Sequence, residues 1–386
     1  MMIGKRSTLL IGPLSKEPTG LSMAFSIVVR SFENSGKDFA IINTETTDKS
    51  RQIGAFSFKR ALEIIGLLFL YWYKLLSAER VYLLIGLSFV SFWRDFLIIW
   101  PAFILKRRIV LHAHTGGYHN FYGSQSELMK RIISKTLSCA NKIIILGEDL
   151  REQFYFLPDR KEKLITVPNC ASIELEQTKV KKKRLAKSEP IKLLFLSNLI
   201  ESKGYLDCLE AAKILTYEKH IPIQFSFCGR AILHKFSPGF MTEKEILDHF
   251  FQQIESKGLE NVVHYHGVVK GQEKSRLLSD SHIFVLPTYY AWEGQPISIL
   301  ESLSFGLPII STPYRGIPGM VIDQYNGFFV EPKNPLQIAE KIEKLWRDPC
   351  LYTMMSTNAV DYFQKNFTHQ QHLEKLLPII FGNSGN

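Results

Sequence analysis

Continuous apolar runs of four or five residues recur along the chain, each followed after a turn by a stretch with helical spacing. A run without polar alternation is buried on both faces, as a strand is in a parallel sheet covered by crossover helices. In the first half these runs are Thr8–Ile11, Phe39–Ile42, Val81–Ile85, Ile109–His112, Lys142–Leu146 and Leu164–Val167. A second series follows the stretch TKVKKKRLAKSEP: Lys192–Leu196, Gln224–Cys228, Val262–His266, Ile283–Pro287, Pro308–Ser311 and Gly327–Val330. Helices are expected between them, among others over Tyr205–Tyr217 and Glu243–Ser256. The rhythm predicts two doubly wound α/β domains, over 1–175 and 191–365. A basic linker over 176–190 joins them, and a C-terminal helix over 366–386 is placed to pack back on the first domain.

A chain of 386 residues, 46% hydrophobic and 22% charged, has enough apolar material for two such cores. Its formal net charge of +10 admits nucleic acid, an anionic membrane or a phosphorylated substrate as partners. The basic stretch Lys179–Lys187 lacks the interleaved aromatics that stack on bases, so it reads as a solvated linker and no nucleic acid is expected. Five cysteines stand singly without CxxC spacing, which fits a reducing compartment. The opening MMIGKRSTLLIGPL reaches a Gly-Pro turn too soon for a secretory leader, so a cytoplasmic protein is expected.

The stretch EGQPISILE follows a strand and opens a helix, with Pro296 at the expected first helical position and Gly306 and Pro308 as its stop. Glu293 precedes the helix and Glu301 lies inside it, with backbones about 10 Å apart at ~1.5 Å per residue. Glycosidase carboxylates stand about 5 to 9 Å apart across one bond, so this pair suits the two ends of an extended ligand. The helix N-terminus between them favours phosphate, and Gly294 allows close approach. Hydroxyls at both ends and phosphates in the middle describe a nucleotide sugar.

In the first half, Ile109–His112 delivers LHAHTGG to the carboxyl end of a strand, where doubly wound folds bind ligands. His112 and His114 share a face at period two, and spacing leaves open which of them meets substrate. Between them lie none of the further ligands that zinc would need, and no Asp-x-Asp pair stands at a strand end, so no metal is expected.

The segment Ile64–Leu105 holds the runs IIGLLFLYWY, VYLLIGLSFVSFW and FLIIWPAFIL, then Lys106, Arg107 and Arg108. Each falls short of the roughly 20 residues that span a bilayer. Buried helices and a strand account for much of this apolarity. Trp72, Trp93 and Trp100 beside basic residues also fit peripheral contact with an anionic membrane surface.

These motifs together resemble the family-4 retaining glycosyltransferases with the GT-B fold, most strongly from about Leu193 to Pro332. The likeness is carried by the Glu-x7-Glu pair Glu293 and Glu301, by SLSFGLPIISTPYRGIP and NGFFVEP after it, and by LFLSNLIESKGYLDCLEAA and HYHGVVKGQEKSRLLSDSHIFVLPT before it. GPLSKEPTGLSMA and LHAHTGGYHNFY are similar to the family's N-terminal loops. The resemblance implies two Rossmann-like domains facing each other across a cleft, and a retaining, metal-independent transfer from a nucleotide sugar, UDP- or GDP-linked, with no other cofactor. The acceptor would be a glycan or a lipid-linked glycan of a cell-surface polysaccharide, reached at the inner face of the cytoplasmic membrane.

Carried onto this sequence, the family pattern gives Glu301 the ribose hydroxyls and gives Glu293, Gly294 and Gln295 the donor sugar. Lys203 and the backbone at Gly20 would hold the diphosphate, and His114 rather than His112 would face the reacting sugar. Where many members have an arginine, this chain has Asn198, with Arg230 as a candidate substitute. A GT-B-fold epimerase, or a non-catalytic sugar-nucleotide or glycan-binding partner of another enzyme, are the competing readings.

Overall fold

The computed structural model describes residues 7–15, 20–45, 58–171, 183–233 and 239–382, with side chains in the helix that opens at Phe58 described from Leu62 onward. Lys16–Thr19 of the first loop and residues 176–182 of the expected linker lie outside the described residues. The chain divides into two compact units, Met1–Cys170 with Gln370–Asn386, and Ala171–His369.

The first unit is built on a six-stranded sheet of β1 (Ser7–Gly12), β2 (Phe39–Asn43), β3 (Ala78–Leu84), β4 (Arg108–Ala113), β5 (Lys142–Ile145) and β6 (Leu164–Thr166), in the order β2-β1-β3-β4-β5-β6. All its pairings are parallel. Leu9, Leu10, Ile11, Ile143, Ile144 and Ile145 are inaccessible to solvent, which is why these runs show no polar alternation. Helices α1 (Gly20–Ser35), α2 (Phe58–Leu75) and α3 (Phe89–Ile104) are among its crossovers. The C-terminal helix His369–Phe381 belongs to this core from Gln370 onward: Leu376 and Ile380 pack with Leu10, Phe25, Phe32 and Val110. The Arg108 guanidinium donates to the Ile379 carbonyl at 2.9 Å and fixes the helix end to β4.

The second unit repeats the plan with β7 (Ile191–Leu196), β8 (Ile223–Cys228), β9 (Val263–Gly267), β10 (Ile283–Leu286), β11 (Ile309–Ser311) and β12 (Gly327–Phe329) in the order β12-β11-β10-β7-β8-β9, again all parallel. Every expected strand is present, with ends displaced by no more than a few residues.

Two of the expectations fail here. Lys183, within the stretch read as a solvated linker, is buried. Its ammonium donates to the carbonyls of Leu278, Ser279 and Ser281 at 2.9, 2.5 and 2.6 Å, satisfying the end of the helix Gly271–Asp280. A helix leaves its last carbonyls unpaired and its C-terminus partially negative, so a lysine is drawn in. The helix Tyr205–Tyr217 keeps α geometry only to Lys213, and Ile214–Glu218 is a π-helical turn. The tryptophans of the apolar segment are also more engaged than a purely surface role needs: Trp93 packs among Phe89, Phe92 and Phe96, and the Trp100 indole donates to Thr136 Oγ1 at 3.2 Å.

Candidate active site

Strand order decides where a ligand can sit. In the second unit β7 has β8 on one side and β10 on the other, so the crossovers part at its carboxyl end and leave a crevice there. The loops that open on this edge carry Asn198 and Lys203 after β7, Arg230 after β8 and Glu293 to Gln295 after β10. These candidate donor residues of the second unit, far apart in sequence, thus share one end of one sheet.

Glu293 is buried and doubly held. The Lys203 ammonium lies 2.5 Å from its Oε2, and the Thr288 hydroxyl donates to the same oxygen at 2.9 Å. The Lys203 turn is itself tied to the strand end, because the Tyr289 N–H donates to the Ser202 carbonyl at 2.8 Å. Gly204, which follows, has φ 81°, and a Cβ there would stand 2.7 Å from the Pro287 carbonyl oxygen; only glycine fits this turn. The ammonium also sits 4.7 Å from the centre of the Tyr290 ring. A positive charge on a flexible stem is thereby parked between a carboxylate and an aromatic face.

Glu301 lies in the helix Ile297–Ser304, almost wholly buried. Burial pushes its carboxyl up from the usual range, and Lys274 pulls it back, its ammonium 2.6 Å from Oε1. Lys274 comes from the helix Gly271–Asp280 and was not among the residues that the sequence singled out. Pro296, expected as the first helical residue, is instead the cap: its ψ of 116° is extended, and the helix begins at Ile297. The backbone at Gly294 is crossed closely by Gly316, where a Cβ would stand 2.6 Å from the Gly294 carbonyl oxygen. Gln295 is buried beside it.

At Asn198 the structure brings in the second strand loop. The Arg230 N–H meets Asn198 Oδ1 at 3.4 Å, and the Leu199 N–H donates to the Arg230 carbonyl at 2.9 Å. Arg230 is exposed at this edge. Between them Gly229, with φ 140°, passes so near the Ser197 carbonyl that any side chain would collide with it.

The first unit places the two histidines differently. His112, on β4, has no solvent exposure, and its Nδ1 shares a hydrogen bond with the Tyr82 hydroxyl at 2.6 Å. Burial holds Tyr82 well above its ordinary pKa and His112 well below its own, so the pair stays neutral. His114 lies one residue beyond the strand, partly accessible, its ring centre 3.9 Å from that of His112. Both of its ring nitrogens are buried without a partner at ordinary hydrogen-bond geometry. Burial, then the charge of His372, push its pKa down to about 3, with Asn169 opposing the shift. His372 is fixed by the Pro168 carbonyl, 2.7 Å from its Nδ1. Gly20 opens α1 with no atom near its absent side chain, whereas a Cβ at Gly12 would run into the Phe25 ring. Among the described residues no group of three or more His, Cys, Asp or Glu side chains gathers as a metal site requires.

An amylovoran biosynthesis glycosyltransferase, AmsK, of Erwinia amylovora is 25% identical over 228 residues, 58% of this chain and 48% of that protein. The N,N'-diacetylbacillosaminyl-diphospho-undecaprenol alpha-1,3-N-acetylgalactosaminyltransferase of Campylobacter jejuni is 31% identical over 115 residues, 29% of this chain and 30% of that protein. The chain spans less than half the length of these two curated relatives. The crystal structure of Anabaena HepE in complex with UDP and glucose superposes with a TM-score of 0.72 at 15% identity, covering 97% of this chain and 99% of that one. The fold, two parallel six-stranded α/β units, is therefore the GT-B fold. Residues 176–361, which hold both glutamates and both lysines, match the glycosyl transferases group 1, and this segment is similar to that family.

Proposed function

We propose that this chain moves a sugar from a nucleotide-sugar donor to a glycan or lipid-linked acceptor, with retention of configuration, in building a cell-surface glycan. One observation carries the reading: two buried carboxylates, each closed by a lysine, stand at the carboxyl edge of a doubly wound sheet in a group 1 segment. A diphosphate entering this edge competes with Glu293 for the Lys203 ammonium. The displaced carboxylate then has a free oxygen for the hydroxyls of the transferred sugar, while Lys203 neutralises charge that grows on the leaving phosphate. Glu301, paired with Lys274, accepts from the ribose hydroxyls. His114, neutral at physiological pH, hydrogen-bonds the sugar near the reacting carbon. No cofactor beyond the UDP- or GDP-linked donor enters this scheme, and the departing phosphate serves as the base. HepE is described in complex with UDP and glucose, and the Campylobacter enzyme's name specifies a diphospho-undecaprenol acceptor, which supports both halves of the proposal. A lipid-linked acceptor would set the reaction at the inner face of the cytoplasmic membrane.

The test is product analysis. Purified protein is incubated with a panel of UDP- and GDP-sugars and with glycan or diphospho-polyprenol acceptors, and products are read by mass spectrometry and anomeric NMR. A glycosylated acceptor of retained configuration is expected. Release of free sugar without an acceptor would point to an epimerase, and binding without turnover to a non-catalytic partner.

A further inference from the structure

Helices α2 and α3 break the pattern of a surface helix, which shows an apolar stripe inward and a polar face outward. Their outward faces are apolar too. On α2 the exposed stripe runs through Phe69, Trp72 and Tyr73 to Leu76 just past its end, with Tyr73 75% and Leu76 69% exposed; on α3 it runs through Leu97 to Ile104, 70% exposed. The two helices lie side by side and run the same way. The Tyr71 hydroxyl donates to the Ile98 carbonyl at 2.7 Å, the Trp72 indole to Leu97 at 3.3 Å, and the Arg107 guanidinium, past the end of α3, to the Leu76 carbonyl at 3.0 Å. The stripes therefore join into one apolar face, larger than the scattered apolar residues of an ordinary surface.

Charge around this face has one sign. Lys74 in the last turn of α2, with Lys106 and Arg107 after α3, rims the end where the two helices finish. The acids nearby are spent elsewhere: Asp95 is buried against Arg94 at 2.6 Å, Glu79 pairs with Arg80 at 3.4 Å, and Glu63 is half-buried and engaged. A second copy of the chain on this face would set cations against cations, and among the described residues no helix is long and apolar enough to cross a membrane. An apolar band bordered by cations suits the boundary between acyl chains and anionic headgroups.

We infer that the joined outer face of α2 and α3 docks on a bilayer rich in anionic lipid, with Phe69, Tyr73, Leu76 and Ile104 entering the acyl boundary and Lys74, Lys106 and Arg107 meeting the headgroups. The docking rests on this face alone and holds whether or not the transfer reaction is as proposed.

The experiment is co-sedimentation of the full chain with vesicles of phosphatidylcholine, with and without phosphatidylglycerol, across a salt series. The wild type is expected to sediment with the phosphatidylglycerol vesicles and to be only partly released by salt, because the apolar contacts are not screened. Tyr73→Glu with Ile104→Glu, and separately Lys74→Glu with Lys106→Glu, should each lower the partition coefficient about tenfold or more. All four side chains reach solvent, so circular dichroism and the melting temperature should stay near wild type. Three outcomes would overturn the inference: a wild type that ignores phosphatidylglycerol at low salt, binding that both double variants retain, or a dimer in sedimentation velocity that the Ile104→Glu variant takes apart, which would make the face a self-interface.

Discussion

Lys274 closes on Glu301 across 27 residues of sequence, its ammonium 2.6 Å from Oε1 and both side chains nearly withdrawn from solvent. Burial raises the Glu301 carboxyl above its usual range, and the charge and hydrogen bond of Lys274 oppose that shift. The lysine takes Oε1. Lys274 is thus a positioning residue for the group assigned to the ribose.

Replacing Lys274 by methionine leaves that charge buried and alone, which costs about 3 to 5 kcal/mol when a buried pair is broken from one side. The variant escapes part of this cost by protonating Glu301, because nothing then opposes the upward pull of burial, so its affinity for a nucleoside diphosphate should fall more steeply on acidification than that of the wild type. Calorimetric titrations at two pH values test it, and a pH-independent loss in the variant would reduce Lys274 to a packing role.

Substitution of the two glutamates should separate their tasks. Glu301→Ala is expected to weaken both the complete donor and the free nucleoside diphosphate by about 1 to 3 kcal/mol, the range for a lost charged hydrogen bond. Glu293→Ala should act chiefly on the donor with its sugar attached, and it releases Lys203 from its 2.5 Å contact, so nucleoside diphosphate affinity should hold or rise. Equal losses for both ligands in both variants would contradict the division.

The histidines give a third contrast. His114→Ala should lower turnover on the order of 100-fold while leaving nucleoside diphosphate affinity near wild type, as expected for a group that acts in the transition state. His112→Ala should act on stability instead. It strips the buried Tyr82 hydroxyl of its hydrogen-bond partner, a loss of about 1 to 3 kcal/mol before any cavity is counted. Thermal melts and kinetics on the same two variants decide it.

Much of this was legible in the chain because strands buried on both faces leave unbroken apolar runs, as Ile143 to Ile145 do. Glu293 stood out because one carboxylate before a helix start and another inside it suit an extended ligand, Lys203 through the family resemblance of LFLSNLIESKGYLDCLEAA, and the fold brings the two into contact. Lys274 was not: GQEKSRLLSD reads as a solvated helix, and nothing local reveals that one lysine turns toward a carboxylate on another element. The choice between His112 and His114 was hidden for the same reason, since it turns on Tyr82, a residue of the neighbouring strand. Lys183 shows the converse error, a charge run taken as solvated although one member caps a helix. The outer faces of α2 and α3 were ambiguous because an apolar run cannot tell a helix packed on both sides from one that meets lipid.

Acid should destabilise the fold through His114. Its folded pKa of about 3 lies below the ordinary histidine value of 6.5, so between these values the unfolded chain binds a proton that the folded chain refuses. The histidine's contribution to stability is present above pH 6.5 and is lost as pH falls toward 3. Each pH unit below 6.5 removes up to about 1.4 kcal/mol for one such group, or about 2 kcal/mol by pH 5. Buried carboxyls shifted upward, such as Asp207 at about 6, act in the opposite direction, so the total curve does not isolate the histidine. The difference between wild type and His114→Asn does, because every other group cancels to first order. Urea unfolding of both proteins at pH 7 and pH 5 should show the wild type losing up to about 2 kcal/mol more than the variant on acidification. Parallel losses would mean that His114 takes up its proton in the folded state as readily as in the unfolded one.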